Sequence, residues 1–270
     1  MSIVLTRRPK TPRWLQAART RNEPPPAATK PDWLSRALAR SGALPLKEAE
    51  AAIAEGRVRV DGKRVTEPFT PVKSDSRLSL DGHDIEANAS TKVVMFHKPA
   101  GVVTSDHDPK KVGTVFQRLG QVLPPELQNY GWHAVGRLDR DTTGLLLFTN
   151  DERFVAHATS PSSRLEKRYV AKVSGQMNDE KLEQLRAGIE LEDGATRPAL
   201  AQQRDDGRIE LTLTEGRNHQ VKRMLGAVGC PVLVLHREAI GTLILDVAEG
   251  ECRLVTDTEV VDRLRYTPRV

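Results

Sequence analysis

Cysteine is almost missing from this chain: there are two in 270 residues, Cys230 and Cys252, with no CxxC spacing. A disulfide framework and a zinc site are therefore both unexpected, and a reducing, cytoplasmic setting fits. The two thiols read as small core residues. Long apolar runs are missing too. None approaches the roughly 20 residues of a membrane helix, and no apolar core precedes a small-residue cleavage site, so no membrane association is expected. The sequence also lacks a Walker loop, a dinucleotide fingerprint and a cluster of metal ligands, and no cofactor or metal is expected.

What is present is an ordinary globular composition, 38% hydrophobic and 29% charged, long enough for a small domain plus a medium one. The charge is unevenly spread. Residues 1–31 carry Arg7, Arg8, Lys10, Arg13, Arg19, Arg21 and Lys30 against the single acid Glu23, a net of +6, whereas the whole chain carries +5. Such a basic arm suits counterion release on a polyanion. A solvated, disordered tail and, more weakly, an organellar transit peptide are the other readings, the latter opposed by scarce serine and by Pro24-Pro25-Pro26.

Regular structure is expected from Asp32, a candidate N-cap for a helix over Trp33–Arg40 that stops at Gly42. A second helical pattern with Ala49, Ala52 and Ile53 apolar stops at Gly56. Valines alternating on both sides of Asp61-Gly62 then predict a hairpin, and a strand over Arg77–Leu80 ends at Asp81-Gly82. Two short helices and a basic hairpin resemble the small S-four RNA-binding domain. Trp33-Leu34 stands where that family opens its first helix with Arg-Leu, and Pro45-Leu46-Lys47 where the second opens with Ser-Arg. Arg36, Arg40, Lys47, Arg57, Arg59, Lys63 and Arg64 would supply a surface that tracks an RNA backbone. The alternative is a helical pair with an ordinary solvated face.

A small polar linker, residues 87–92, separates this domain (32–86) from a second one over 93–270. Apolar strands are predicted at Val93–Phe96, Val135–Leu138, Leu145–Thr149, Tyr169–Val173, Ile209–Thr214, Val232–Leu235 and Leu243–Val247, and helices at Val115–Val122, Lys181–Ala187 and His219–Val228. The alternation lacks the period of a doubly wound sheet. An α+β fold with a large, mostly antiparallel sheet is expected.

The chemistry concentrates in Gly136-Arg137-Leu138-Asp139-Arg140-Asp141-Thr142-Thr143-Gly144-Leu145, where a polar turn joins two apolar strands. Carboxylates there are costly without a partner or a task. They could simply cap the turn through its own amides. Asp139-x-Asp141-x-Thr143 also matches the nucleophile motif of haloacid-dehalogenase-type phosphatases, with Asp205-Asp206 as the downstream acids, although the approach to Asp139 is polar and interrupted by glycine.

A wider resemblance covers nearly all of residues 93–270. Gly136-Arg137-Leu138-Asp139, then Thr143-Gly144-Leu145-Leu146-Leu147 and Thr149-Asn150-Asp151, resembles the signature of pseudouridine synthases. His97-Lys98-Pro99-Ala100-Gly101, Glu166-Lys167-Arg168-Tyr169 and Glu215-Gly216-Arg217-Asn218-His219-Gln220-Val221-Lys222-Arg223-Met224 match in the same order. Within the family, Leu235-His236-Arg237-Glu238 with Ile240-Gly241 is most similar to the small-subunit rRNA enzymes. The resemblance implies isomerisation of a flipped uridine, with Asp139 as the catalytic carboxylate, Tyr169 as a stacking platform and proton relay, and Lys222 as the partner of Asp139. Arg137 would face the RNA and Arg217 a phosphate, while Asp141 would be structural and His219 a helix-start residue. The implied partner is ribosomal RNA or a subunit assembly intermediate, and a monomer is expected. A ribosome-assembly factor that binds rRNA without turnover is the alternative class.

Overall fold

The computed structural model describes residues 32–73, 75–85, 90–105 and 112–268; the basic arm over 1–31 and the first three residues of the expected linker, 87–89, lie outside them. The described chain runs β1 (Asp32–Trp33), α1 (Leu34–Ser41), α2 (Leu46–Ala54), β2 (Val58–Val60), β3 (Lys63–Val65), β4 (Pro71–Val72), β5 (Leu78–Leu80), β6 (His83–Ile85), β7 (Val93–Lys98), α3 (Val115–Val122), β8 (His133–Val135), β9 (Thr143–Thr149), α4 (Glu152–Thr159), β10 (Lys167–Val173), α5 (Asp179–Ala187), β11 (Glu190–Leu191), β12 (Gly194–Ala195), β13 (Leu200–Gln203), β14 (Ile209–Leu213), α6 (Gln220–Ala227), β15 (Val232–Ile240), β16 (Leu243–Ile244), β17 (Cys252–Val255) and α7 (Asp257–Leu264).

In the N-terminal unit, Leu34, Ala37 and Leu38 of α1 meet Ala49, Ala52 and Ile53 of α2 over Val58 and Leu78 of an antiparallel sheet ordered β3-β2-β5-β6. Both Asp-Gly pairs lie at hairpin tips with positive φ at each residue (Asp61 50°, Gly62 79°; Asp81 51°, Gly82 83°), the geometry whose twist matches two-residue hairpins. The second pair thus turns into β6, a strand not expected from the sequence. Asp32 does not cap α1. It pairs with Val72 as part of β1, and Trp33 occupies the N-cap position without a side-chain bond. The first helical amides instead donate to the loop before β4, Leu34 N to Thr70 O and Ser35 N to Pro68 O, which meets the same need.

The larger unit is built on one nine-stranded sheet with the path β13-β14-β10-β15-β9-β7-β17, to which β8 adds along β9 and β16 along β15. All its pairs are antiparallel except β15 with β9. The central strands β7 and β9 are covered on both faces. Met95, Leu145 and Leu147 face α4 and α7, whereas Phe96, Leu146 and Phe148 face α3. That double burial explains their unbroken apolar composition.

One edge of β9 is shared. Its first residues, Thr143 and Gly144, pair with His236 and Arg237 of β15, and its last three pair with β8. The seven residues between β8 and β9, Gly136–Thr142, leave the sheet where the partner changes. The strand expected over Val135–Leu138 therefore ends at Val135, and Leu138 is buried away from the ladder.

The two units touch directly. Gly131 N donates to Ala39 O (2.8 Å), and Asn150 Nδ2 donates to Arg40 O (3.0 Å) and Ser90 O (3.2 Å) while its Oδ1 accepts from Lys92 N (2.7 Å). Asn150 thus ties the end of α1 to the segment that enters β7.

Candidate active site

The turn carrying Asp139 closes with Thr142 N donating to Asp139 O, and Thr104 Oγ1 brackets Leu138 through both its amide and its carbonyl. Beneath it lies Lys98, fully buried at the end of β7. Its ammonium donates to Pro99 O (2.9 Å), Arg140 O (3.2 Å) and Thr142 O (2.9 Å). Burial pushes this amine down to about 8, against the charges of Asp141 and Asp139, which favour its protonation. The His97-Lys98-Pro99 stretch therefore anchors the turn from below, a role that no sequence pattern announced.

Opposite the turn, α6 starts at His219, which holds a left-handed conformation (φ 49°) at the N-cap. The preceding loop is fixed by Glu215, whose buried carboxylate accepts from Arg197 N and Gln220 Nε2, while Gln220 Oε1 accepts from Arg217 N. That frame brings Lys222 Nζ to 3.0 Å from Asp139 Oδ2 and 2.7 Å from Asp141 Oδ1. Burial disfavours the Lys222 charge, but the hydrogen bonds it donates to both aspartates more than reverse this and hold it above the usual lysine range. Lys222 holds the Asp141 carboxyl below its usual range. Because the Asp141 side chain is 70% exposed, that pair is screened by solvent. His219 Nε2 is 3.4 Å from Asp139 Oδ1, so this helix-start residue also faces the carboxylate.

A concave pocket joins these groups. Arg137, Leu138, Asp139 and Thr142 form one wall, and Glu215, Arg217, His219 and Lys222 the other, with Tyr169 of β10 and Leu213 of β14 behind. The three residues singled out as catalytic from the sequence, Asp139, Tyr169 and Lys222, all line it, and Arg137 is exposed beside them. Arg217 lines it as well, but its guanidinium donates to the carbonyls of Asp193, Gly194 and Ala195. It braces the β11–β12 hairpin and has little left for a phosphate.

The cations of the N-terminal unit divide similarly. Arg57 is locked onto Asp81 by two hydrogen bonds (2.9 and 2.6 Å) and lies near Glu55; Arg36 pairs with Glu152 at 3.4 Å. Arg59 and Arg64 are cross-strand neighbours on the exposed sheet face, each donating to a local carbonyl. Lys47 and Lys63 are exposed, and Arg40 is half-buried at the contact between the units.

The phosphatase reading fails on topology. That motif needs a buried parallel strand before its first aspartate, whereas β8 is three residues long and antiparallel to β9. Asp206, half of the proposed downstream acidic pair, is engaged by Arg208 in the turn between β13 and β14. The turn-capping reading fits Asp139 poorly as well, since its carboxylate faces the side chains of Lys222 and His219. Among the described residues, no group of three or more His, Cys, Asp or Glu could hold a metal ion. No described helix is long and apolar enough to cross a membrane.

Comparison with known proteins bears on this geometry. The family model described as RNA pseudouridylate synthase matches residues 92–227, and that described as S4 domain matches 32–78. The ribosomal small subunit pseudouridine synthase A of Yersinia pestis is 37% identical over 232 residues, covering 84% of this chain and 94% of that protein. The ribosomal large subunit pseudouridine synthase B of Bacillus subtilis (strain 168) is 38% identical over 242 residues, covering 86% and 95%. A crystal structure described as that of pseudouridylate synthase superposes with a TM-score of 0.59 at 31% identity, covering 86% of this chain and 99% of that one.

Proposed function

Because this chain belongs to the family of RNA pseudouridylate synthases, we propose that it isomerises a uridine of ribosomal RNA, with Asp139 as the reacting carboxylate. The observation that carries the assignment is the placement of Asp139 in a concave pocket, 3.0 Å from the Lys222 ammonium, with Tyr169 behind it.

The reaction breaks the bond between C1′ of the ribose and N1 of uracil, turns the base, and joins C1′ to C5. The proton on C5 is lost and N1 gains one, so atoms and electrons balance within the nucleotide. A carboxylate beside the sugar and a shielded place for the extruded base are the requirements. Asp139 meets the first. Lys222 keeps a cation against that carboxylate, and Tyr169 offers a ring face on which uracil stacks, a contact worth about 1–3 kcal/mol. Arg137, exposed at the rim, enters the space the base vacates. Asp141, held by Lys222 in solvent, orients that lysine and takes no part in bond making.

The N-terminal unit tracks phosphates with Arg59, Arg64, Lys47 and Lys63, and extrusion is easiest in a loop or poorly paired site. The substrate is small-subunit rRNA, free or within an assembly intermediate, and the enzyme acts as a cytoplasmic monomer. Support for the subunit assignment is the Leu235-His236-Arg237-Glu238 stretch. Asp139→Asn, isosteric and uncharged, separates turnover from binding. It should abolish pseudouridine formation on rRNA transcripts while the RNA dissociation constant stays within about threefold, less than one contact is worth. An active Asp139→Asn enzyme removes Asp139 from the chemistry.

A further inference from the structure

Arg237 stands on β15 across from Tyr169 and beside Gly144, where the turn bearing Asp139 re-enters the sheet. It is 4% exposed. Nε donates to Leu145 O (2.7 Å) and Nη1 lies 3.5 Å from the Tyr169 hydroxyl, while Nη2 is buried with no hydrogen-bond partner among the described residues. The guanidinium carbon is 6.0 Å from the centroid of the Tyr169 ring. Both groups it touches are uncharged, and among the described residues no acid forms an ion pair with it, so its positive charge is buried uncompensated there.

Neighbouring groups share the peculiarity. Lys167, two residues before Tyr169 on β10, is held down to about 8, by burial first and then by the charge of Arg237. Thr142 Oγ1, in the pocket wall, is buried and also lacks a hydrogen-bond partner among the described residues. A buried, uncompensated cation costs stability, and an apolar side chain of similar size often does as well or better. Uncompensated polar groups gathered behind one pocket signal a function that the fold alone does not require.

We propose that Arg237 is a positioning residue that holds the Tyr169 ring against the pocket and keeps positive charge behind the base stacked on it. The inference deepens the reading given above and rests on it. When the C1′–N1 bond breaks, its electron pair leaves with uracil, so the detached base is an anion until C5 is joined to C1′. A cation fixed in a low-dielectric layer behind Tyr169 favours that anion over the neutral, attached base, so its effect falls on the chemical step and not on RNA binding.

The test uses full-length enzyme and rRNA transcripts of both subunits carrying tritium at uracil C5, each free and assembled with ribosomal proteins, with single-turnover tritium release as the readout. Arg237→Met should slow release on the order of a hundredfold, as loss of one preorganised charge does. The RNA dissociation constant should stay within about twofold, less than one contact is worth, and the melting temperature should be unchanged or higher. Arg237→Lys, which keeps a cation but not the fork, should recover about tenfold of the rate, a part of the same electrostatic effect. A folded Arg237→Met enzyme at the wild-type rate overturns the proposal. So does an Arg237→Met protein that no longer folds, since the charge would then serve the fold, or an Arg237→Lys enzyme that recovers nothing. A wild type inactive on every one of these substrates, free and assembled, overturns the proposed substrate and this inference with it, whereas an active wild type beside an unaffected Arg237→Met overturns this inference alone.

Discussion

Replacing Lys98 by methionine should loosen the turn that presents Asp139 without touching the pocket surface. Lys98 is fully buried and gives hydrogen bonds to three carbonyls, two of them in the turn. Methionine fills a similar volume but donates nothing. Arg140 O keeps a second donor, Gly101 N at 2.8 Å, so the full loss falls on Pro99 O and Thr142 O. Two buried carbonyls stripped of a charged donor cost about 2–6 kcal/mol, and removing a desolvated ammonium returns part of that. A net loss of about 2 kcal/mol is expected, a fall in melting temperature of roughly 4–8 °C for a unit of this size.

The sign with pH follows from the depressed amine. An unfolded chain keeps the Lys98 proton up to its ordinary value of 10.5, whereas the folded protein releases it near 8. Between those values the unfolded state binds more protons, so the wild type gains stability as pH rises, by roughly 3 kcal/mol over the window. Lys98→Met lacks this gain. Melting curves from pH 7 to 10 should therefore show the two proteins diverging, with single-turnover activity of the variant reduced throughout. A variant that melts with the wild type and retains its activity refutes the idea that Lys98 pins the turn.

Two further substitutions probe the scaffold. Gly144→Ala should destabilise by at least about 3 kcal/mol, because φ there is 110° and an added Cβ would lie 2.3 Å from Arg237 O; a well-behaved protein by thermal melt would mean that β9 and β15 are not in close contact. Asp151, buried at the N-cap of α4, accepts from Thr91, Arg153 and Tyr266. Burial alone would raise its carboxyl, yet those bonds hold it at about 2. Its contribution, roughly 2 kcal/mol, is present above pH 4 and lost as pH falls towards 2. Asp151→Asn should flatten that limb of the acid-unfolding curve; an unchanged limb would assign acid sensitivity to other groups.

The sequence was most readable where structure is local. The Asp-Gly tips with flanking valines announced the first hairpin, and the unbroken apolar runs announced β7 and β9 as strands. It was least readable where few side chains are buried. Helix α4 buries only Phe154 and Ala158, too few to set up a period, and α7 only Val260 and Leu264. Neither was anticipated. Ordered motifs also brought Asp139, Tyr169 and Lys222 together in advance, although 30 and then 53 residues separate them along the chain. What patterns could not reveal is which cations are already occupied. Arg217 and Arg57 look like phosphate ligands until the carbonyls of residues 193–195 and the carboxylate of Asp81 are seen against them. Nor does composition reveal that Lys98 and Arg237 are interior charges, since burial of a long basic side chain depends on strands distant in sequence.

The most direct measurement is a pseudouridine map of both ribosomal RNAs from cells lacking this protein, complemented with the wild type or with Asp139→Asn. One site should be missing from small-subunit rRNA in the deleted cells, restored by the wild type and not by the variant. A map identical in all three strains, or a site restored by Asp139→Asn, would contradict that expectation.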